Sequence, residues 1–182
     1  MEADYIGIDR GALQCVRQNI KMVMALGDFD SVSEEEFALI QNSCPVERCN
    51  PIKDETDSEL ALMKASQLGY DEIILWGGLG GRVDHELVNL SLLVHRYDFT
   101  LMDERHRIRC LRQGIYRLKK NYRYLSFVPL EDGMISLKGV AYPLRNREVK
   151  KTDIYLTSNE ITEEEAEIEI HKGRFLCIEC QD

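Results

Sequence analysis

Positive charge is in short supply: 23 Lys and Arg face 32 Asp and Glu in 182 residues, a formal net charge of −9. Nucleic acid and anionic membrane surfaces are bound by clustered cations, so the balance argues against both as partners. No apolar run approaches the roughly 18 residues of a membrane span. The first residues, Met1-Glu2-Ala3-Asp4, are acidic where a secretory signal would be basic. A soluble cytoplasmic protein is the expectation. Internal repeats and low-complexity linkers are also lacking, so any domains should abut. There is a single Trp, Trp76, at the end of a predicted strand, where a core position is expected. Six Cys are present without the look of a disulfide framework. Cys177 and Cys180 have zinc-knuckle spacing, with Cys44 and Cys49 as a second pair, but the first pair lies in an alternating strand pattern rather than a tight turn. Reduced, partly buried thiols are expected.

What is present is a change of period along the chain. In the first half, apolar runs at 5–8, 22–26 and 73–76 read as strands, separated by helical patterns at 12–19, after Ser33, at 56–68 and at 83–95. Ser33 with Glu36, and Thr56 with Glu59, have capping-box spacing, and Gly69 is a helix stop. Leu87, Leu90 and Val94 mark one side of the last helix. Strands alternating with helices imply right-handed crossovers and a mostly parallel sheet flanked by helices. Beyond about residue 99 the period shortens to two at 107–111, 115–118, 124–128, 135–140, 168–171 and 175–178. Gln113-Gly114, Asp132-Gly133 and Lys172-Gly173 supply turns between several of these. The expected fold class is therefore α/β followed by an antiparallel β-sandwich-like domain, with residues 1–101 in the first domain and 102–182 in the second. The acid-rich stretch 160–169 is expected to be a solvated loop or edge.

Three segments carry chemistry, each at a strand-to-helix passage where an open α/β sheet presents its ligands. Gly27-Asp28-Phe29-Asp30-Ser31 sets two carboxylates two residues apart. Such a pair repels itself unless a cation sits between, which suits a hard ion such as Mg²⁺; the alternative is a turn that caps the next helix. Lys53-Asp54-Glu55-Thr56-Asp57 brings further acids to a helix start, where Asp57 suits either cap or ligand. Gly77-Gly78-Leu79-Gly80-Gly81-Arg82-Val83-Asp84-His85 joins a glycine-rich turn, whose N–H groups can approach an anion, to a helix N-terminus. Its spacing is wrong for a dinucleotide fingerprint. Arg82 reads as a phosphate fork or as a packing residue, and His85 as a positioning group or a helix-start residue.

Taken together the segments resemble the signatures of thiamine pyrophosphokinases: G-D-x-D-S, a later T-D-x-x-x-A-L, and G-G-R-x-D-H followed by Asn89 and Leu92 or Leu93. Ser158-Asn159-Glu160 is similar to the family's S-N-E motif. The resemblance implies diphosphoryl transfer from ATP, as co-substrate, to the hydroxyl of thiamine. It implies a Mg²⁺ shell from Asp28, Asp30 and Asp57, with Asp54 as a further ligand or an acceptor one step out. Asp28, Asp30, Asp57, Arg82 and Asp84 would be catalytic. Asp9 and Gly11 would contact nucleotide; Thr56, Gly80, Gly81, Arg82 and His85 would bind phosphates or orient substrate. Ser158 and Asn159 would meet thiamine's pyrimidine in a homodimer whose sites join the β-domain of one subunit to the α/β domain of the other. Two departures stand out. Arg10 occupies the middle of what is usually Asp-Gly-Gly, and the family's first N-terminal strand would fall before Met1 and is expected to be missing. The rival readings are a non-catalytic nucleotide- or thiamine-binding homologue and a metal-dependent phosphohydrolase.

Overall fold

The computed structural model describes residues 3–50 and 52–182. It forms two compact units, one up to Asp71 and one from Glu72 onward.

In the first unit the chain runs β1 (Ile6–Ile8), α1 (Arg10–Arg17), β2 (Met24–Gly27), α2 (Glu34–Ser43), β3 (Val46–Arg48) and α3 (Asp57–Leu68). The strands form a parallel sheet in the order β1-β2-β3, with Gly7 opposite Ala25 and Ala25 opposite Val46. Local chemistry sets the helix ends. Ser33 and Glu36 close a reciprocal capping box on α2, Thr56 Oγ accepts from Glu59 N–H at the start of α3, and Gly69 ends α3 in the left-handed region at φ 79°. Ala12, Leu13, Met22, Ala25, Phe29 and Ile40 make the core of this unit. Strand β3 gives no sequence signal, because Val-Glu-Arg contains no apolar run and its two charged residues lie exposed.

The second unit contains β4 (Ile74–Trp76), α4 (Val83–His95), β5 (Thr100–Met102), β6 (His106–Leu111), β7 (Gly114–Lys119), β8 (Tyr124–Pro129), β9 (Gly133–Lys138), β10 (Leu144–Val149), β11 (Glu165–Lys172) and β12 (Phe175–Cys180). Two sheets form, β4-β5-β6-β12-β8 and β10-β9-β11-β7. All pairings are antiparallel except β4 with β5, which are parallel. Leu125, Phe127, Phe175 and Cys177 of one sheet and Ile135, Leu137, Ile168 and Ile170 of the other share one core. The α/β-then-antiparallel class expected from the change of period is what the chain adopts.

Four local expectations are corrected. The acidic stretch 160–169 does not end in a loop or edge: β11 lies between β9 and β7, because Ala166, Ile168 and Ile170 point into the core while Glu165, Glu167 and Glu169 alternate with them. On the outer side Glu167 pairs with Lys138 at 2.7 Å. Trp76 is not core; it is 60% exposed on β4, whose buried residue is Leu75. The covered side of α4 carries Asn89, Leu92 and Leu93, whereas Leu87 is exposed. The strand 73–76 continues through β5 into the antiparallel sheet rather than joining β1 to β3. The six cysteines are all free, with Cys177 buried inside β12. Among the described residues no helix is long and apolar enough to cross a membrane.

Candidate active site

Parallel strands all end at one edge of their sheet, and in the first unit that edge gathers acids. Asp9 follows β1, Asp28 follows β2, and Asp57 opens α3 after β3. One carboxylate oxygen from each lies within 4.8 Å of the others. Asp9 Oδ1 accepts from the Phe29 N–H at 3.2 Å, which ties the first loop to the second. Gly27 makes the approach possible: a Cβ there would stand 2.0 Å from Asp9 Oδ1. Both loops hold residues in the left-handed region, Asp9 at φ 45° and Phe29 at φ 60°.

Three carboxylates this close raise one another's affinity for positive charge. Burial, opposed by the Phe29 N–H and reinforced by Asp57 and Asp28, pushes the Asp9 carboxyl up to about 6. Lys53 brings one internal cation, its Nζ donating to Asp57 Oδ1. The donor set, carboxylate oxygens only and partly buried, is that of a hard divalent cation.

The sequence pattern named Asp28, Asp30 and Asp57 for this role. The structure brings Asp28 and Asp57 together with Asp9, which had been assigned to nucleotide contact. Asp30 is exposed and outside the group, its N–H donating to Asp28 Oδ1 at 3.0 Å. Asp54 is likewise exposed. Thr56 serves as N-cap of α3, and Gly11 sits in the first turn of α1 with open space where a Cβ would be. Lys53, paired with Asp57, and Gly27, packed against Asp9, join this geometry although the pattern did not single them out. Lys53 stands four residues before Asp57, a spacing that was available as a clue.

In the second unit, Gly77 and Gly80 turn the loop after β4 at φ 78° and 77°. Buried Asn89 of α4 donates to the Gly78 carbonyl at 2.9 Å and fixes the loop to the helix that follows it. Arg82 is the N-cap residue of α4, and its guanidinium holds Asp84 through Nε at 3.1 Å and Nη2 at 2.5 Å. This fork, helped by the His85 N–H, draws the Asp84 carboxyl down to about 2. Both side chains are exposed, as is His85, so the Arg82–Asp84 pair stands in solvent. A cavity of about 440 Å³ opens beside the loop, lined by Trp76, Gly80, Asp103, Glu104, Arg105 and His106.

Ser158 stands at φ 59°, exposed, with its N–H held by Ser126 Oγ at 2.9 Å. Asn159 is buried: its Oδ1 accepts from the N–H groups of Tyr142 and Glu160, each at 3.0 Å, and its Nδ2 donates to the Tyr142 carbonyl. That amide is committed to holding the backbone, and its neighbour Ser158 is the member of the pair that faces outward.

The family model for the thiamin pyrophosphokinase catalytic domain matches residues 2–102, and that for the thiamin pyrophosphokinase vitamin B1 binding domain matches residues 105–175. A thiamine pyrophosphokinase of Bacillus subtilis is 33% identical over 98% of this chain and 87% of its own length. The crystal structure of Bacillus subtilis thiamine pyrophosphokinase superposes with a TM-score of 0.91 at 33% identity, covering 100% of this chain and 89% of that one. A thiamin pyrophosphokinase family protein from Enterococcus faecalis gives 0.87 at 31% identity, over 97% of this chain and 88% of its own.

Proposed function

Because the chain belongs to the thiamine pyrophosphokinase family, we propose that it is a thiamine diphosphokinase: the primary hydroxyl of thiamine attacks the β-phosphorus of ATP, giving thiamine diphosphate and AMP. The observation that carries the proposal is the convergence of Asp9, Asp28 and Asp57 at the end of the parallel sheet. Phosphoryl chemistry of this kind asks for positioning and for relief of negative charge rather than a covalent protein intermediate. A Mg²⁺ held by these three carboxylates would neutralise phosphate oxygens. In the second unit, the N–H groups of the loop at 77–81 and the Arg82 fork are suited to hold phosphate, with Asp84 holding the planar guanidinium in one orientation. Ser158 and the Asn159-braced turn next to it are suited to the thiamine end, in a homodimeric cytoplasmic enzyme where ATP is at hand.

An assay for AMP with and without thiamine tests the reading. Thiamine-dependent AMP is expected. AMP or ADP released without thiamine would make the protein a hydrolase, and no product in either case would make it a binding protein. Asp28→Asn is expected to lower Mg²⁺-dependent turnover by at least about a hundredfold while leaving the circular dichroism spectrum unchanged.

A further inference from the structure

We propose that Ser136, with His171 as its base, forms a second reactive site: a serine that takes the acyl group of small carboxylic esters and releases it to water. The site lies within the sheet β10-β9-β11-β7 and uses none of the residues assigned to diphosphoryl transfer.

Ser136 stands on β9 between the core residues Ile135 and Leu137, so its side chain belongs to the other face of the sheet. Both strands that flank β9 are bulged at its level. On β10 the pairing passes from Leu144 opposite Leu137 to Arg147 opposite Ile135, so two residues, Arg145 and Asn146, stand against Ser136 alone. On β11 it passes from Ile170 opposite Ile135 to Lys172 opposite Met134, which leaves His171 as the extra residue. Bulges re-aim groups that regular alternation would send elsewhere, and these two converge on one hydroxyl. His171 Nε2 lies 2.7 Å from Ser136 Oγ. Asn146, held in the left-handed region at φ 45°, donates its N–H to the same oxygen at 2.9 Å and offers Oδ1 at 3.3 Å as another acceptor for the hydroxyl hydrogen. Glu169, opposite Ser136 in register, has Oε1 3.4 Å from His171 Nδ1.

A hydroxyl within hydrogen-bond reach of an imidazole, with a carboxylate beside the far ring nitrogen, is the arrangement that activates a nucleophile. The step needs Nε2 free to accept, the tautomer favoured by a carboxylate near Nδ1, and that carboxylate attracts the ring more strongly once it is charged. Ser136 keeps 5% exposure and lines a cavity of about 510 Å³ together with Asn146 and Glu169, while Pro143 and Leu144 give it an apolar wall suited to a short acyl chain. As Oγ bonds to the ester carbonyl carbon, the Ser136 proton passes to Nε2; the bond from that carbon to the alcohol oxygen breaks, and the alcohol leaves with the proton. Water then adds to the acyl-serine, giving a proton to Nε2. The bond from Oγ to carbon breaks, the proton returns to Oγ and a carboxylic acid departs. The Asn146 N–H is a donor placed where negative charge develops.

A fluorophosphonate, which phosphonylates activated serines with loss of fluoride, tests the site in the unaltered protein. Peptide mass spectrometry is expected to find the adduct on Ser136, and p-nitrophenyl acetate is expected to be hydrolysed. His171→Gln is expected to slow labelling by at least about a hundredfold, the share of a general base. Glu169→Gln should slow it by a smaller factor with the melting temperature unchanged, which marks a positioning residue rather than a brace. Ser136→Ala should lose adduct and ester hydrolysis while thiamine-dependent AMP formation persists, so this site and the transfer reaction stand or fall separately. An unaltered protein without adduct on Ser136, folded His171→Gln labelled at the original rate, or ester hydrolysis undiminished in Ser136→Ala would each overturn the assignment and leave Ser136 as a hydroxyl that only braces the two bulges.

Discussion

Asp9 and Gly27 depend on each other, since the carboxylate occupies the space that any side chain at residue 27 would need. Gly27→Ala is therefore expected to move Asp9 out of the acidic group and cut turnover on the order of a hundredfold, more than it cuts stability; kinetics alongside urea unfolding would separate the two. A second expectation concerns pH. Asp9 titrates near 6 in the folded chain against 3.8 unperturbed, so between about pH 4 and 6 the metal-free folded state binds the extra proton. Stability should thus fall as pH rises through that window, and Asp9→Asn should flatten this part of the profile in the presence of a chelator. Residue chemistry was partly legible beforehand. Asp28 and Asp57 announce themselves by type and spacing, whereas the convergence of Asp9 rather than Asp30 on their carboxylates depends on which way a strained loop turns, and no local pattern encodes that.

Elements were legible where their causes are local. The caps of α2 and α3 are set by residues three apart, and both helices begin where Ser33 and Thr56 place them. Strand β5 has three residues and β10 is largely polar, so neither carries a signal of its own and each depends on the strands it pairs with, β4 and β6 for one and β9 for the other. The same holds for exposure: a strand pattern shows that Leu75 and Trp76 face opposite ways but not which side is covered. In β12, Glu179 is buried to 1% exposure and receives Arg107 at 2.7 Å and Arg109 at 3.1 Å from β6. Removing the carboxylate leaves two guanidinium groups against one another, so Glu179→Ala is expected to destabilise the protein by about 3 kcal/mol in urea unfolding.

At the scale of the whole molecule, the change of period along the chain is reproduced as a parallel sheet followed by antiparallel ones. What periodicity could not show was that 73–76 would hydrogen-bond onward into the second set, because pairing partners are not written in a strand's own residues. The two units also differ in how they protect a thiol. Cys177 lies fully enclosed in the sandwich, where burial pushes its thiol up to about 12, and Cys44 is buried in the smaller core of the first unit. A thiolate-seeking alkylating agent therefore finds neither until its surroundings open, which turns each sulfur into a clock for one half of the chain. Cys49 and Cys180, partly accessible, should gain mass first under brief iodoacetamide exposure; Cys44 should follow, and Cys177 last. Peptide mass spectrometry of a time course reads both clocks in one sample, and Cys177 reacting before Cys44 would place the weaker half of the molecule in the β-sandwich.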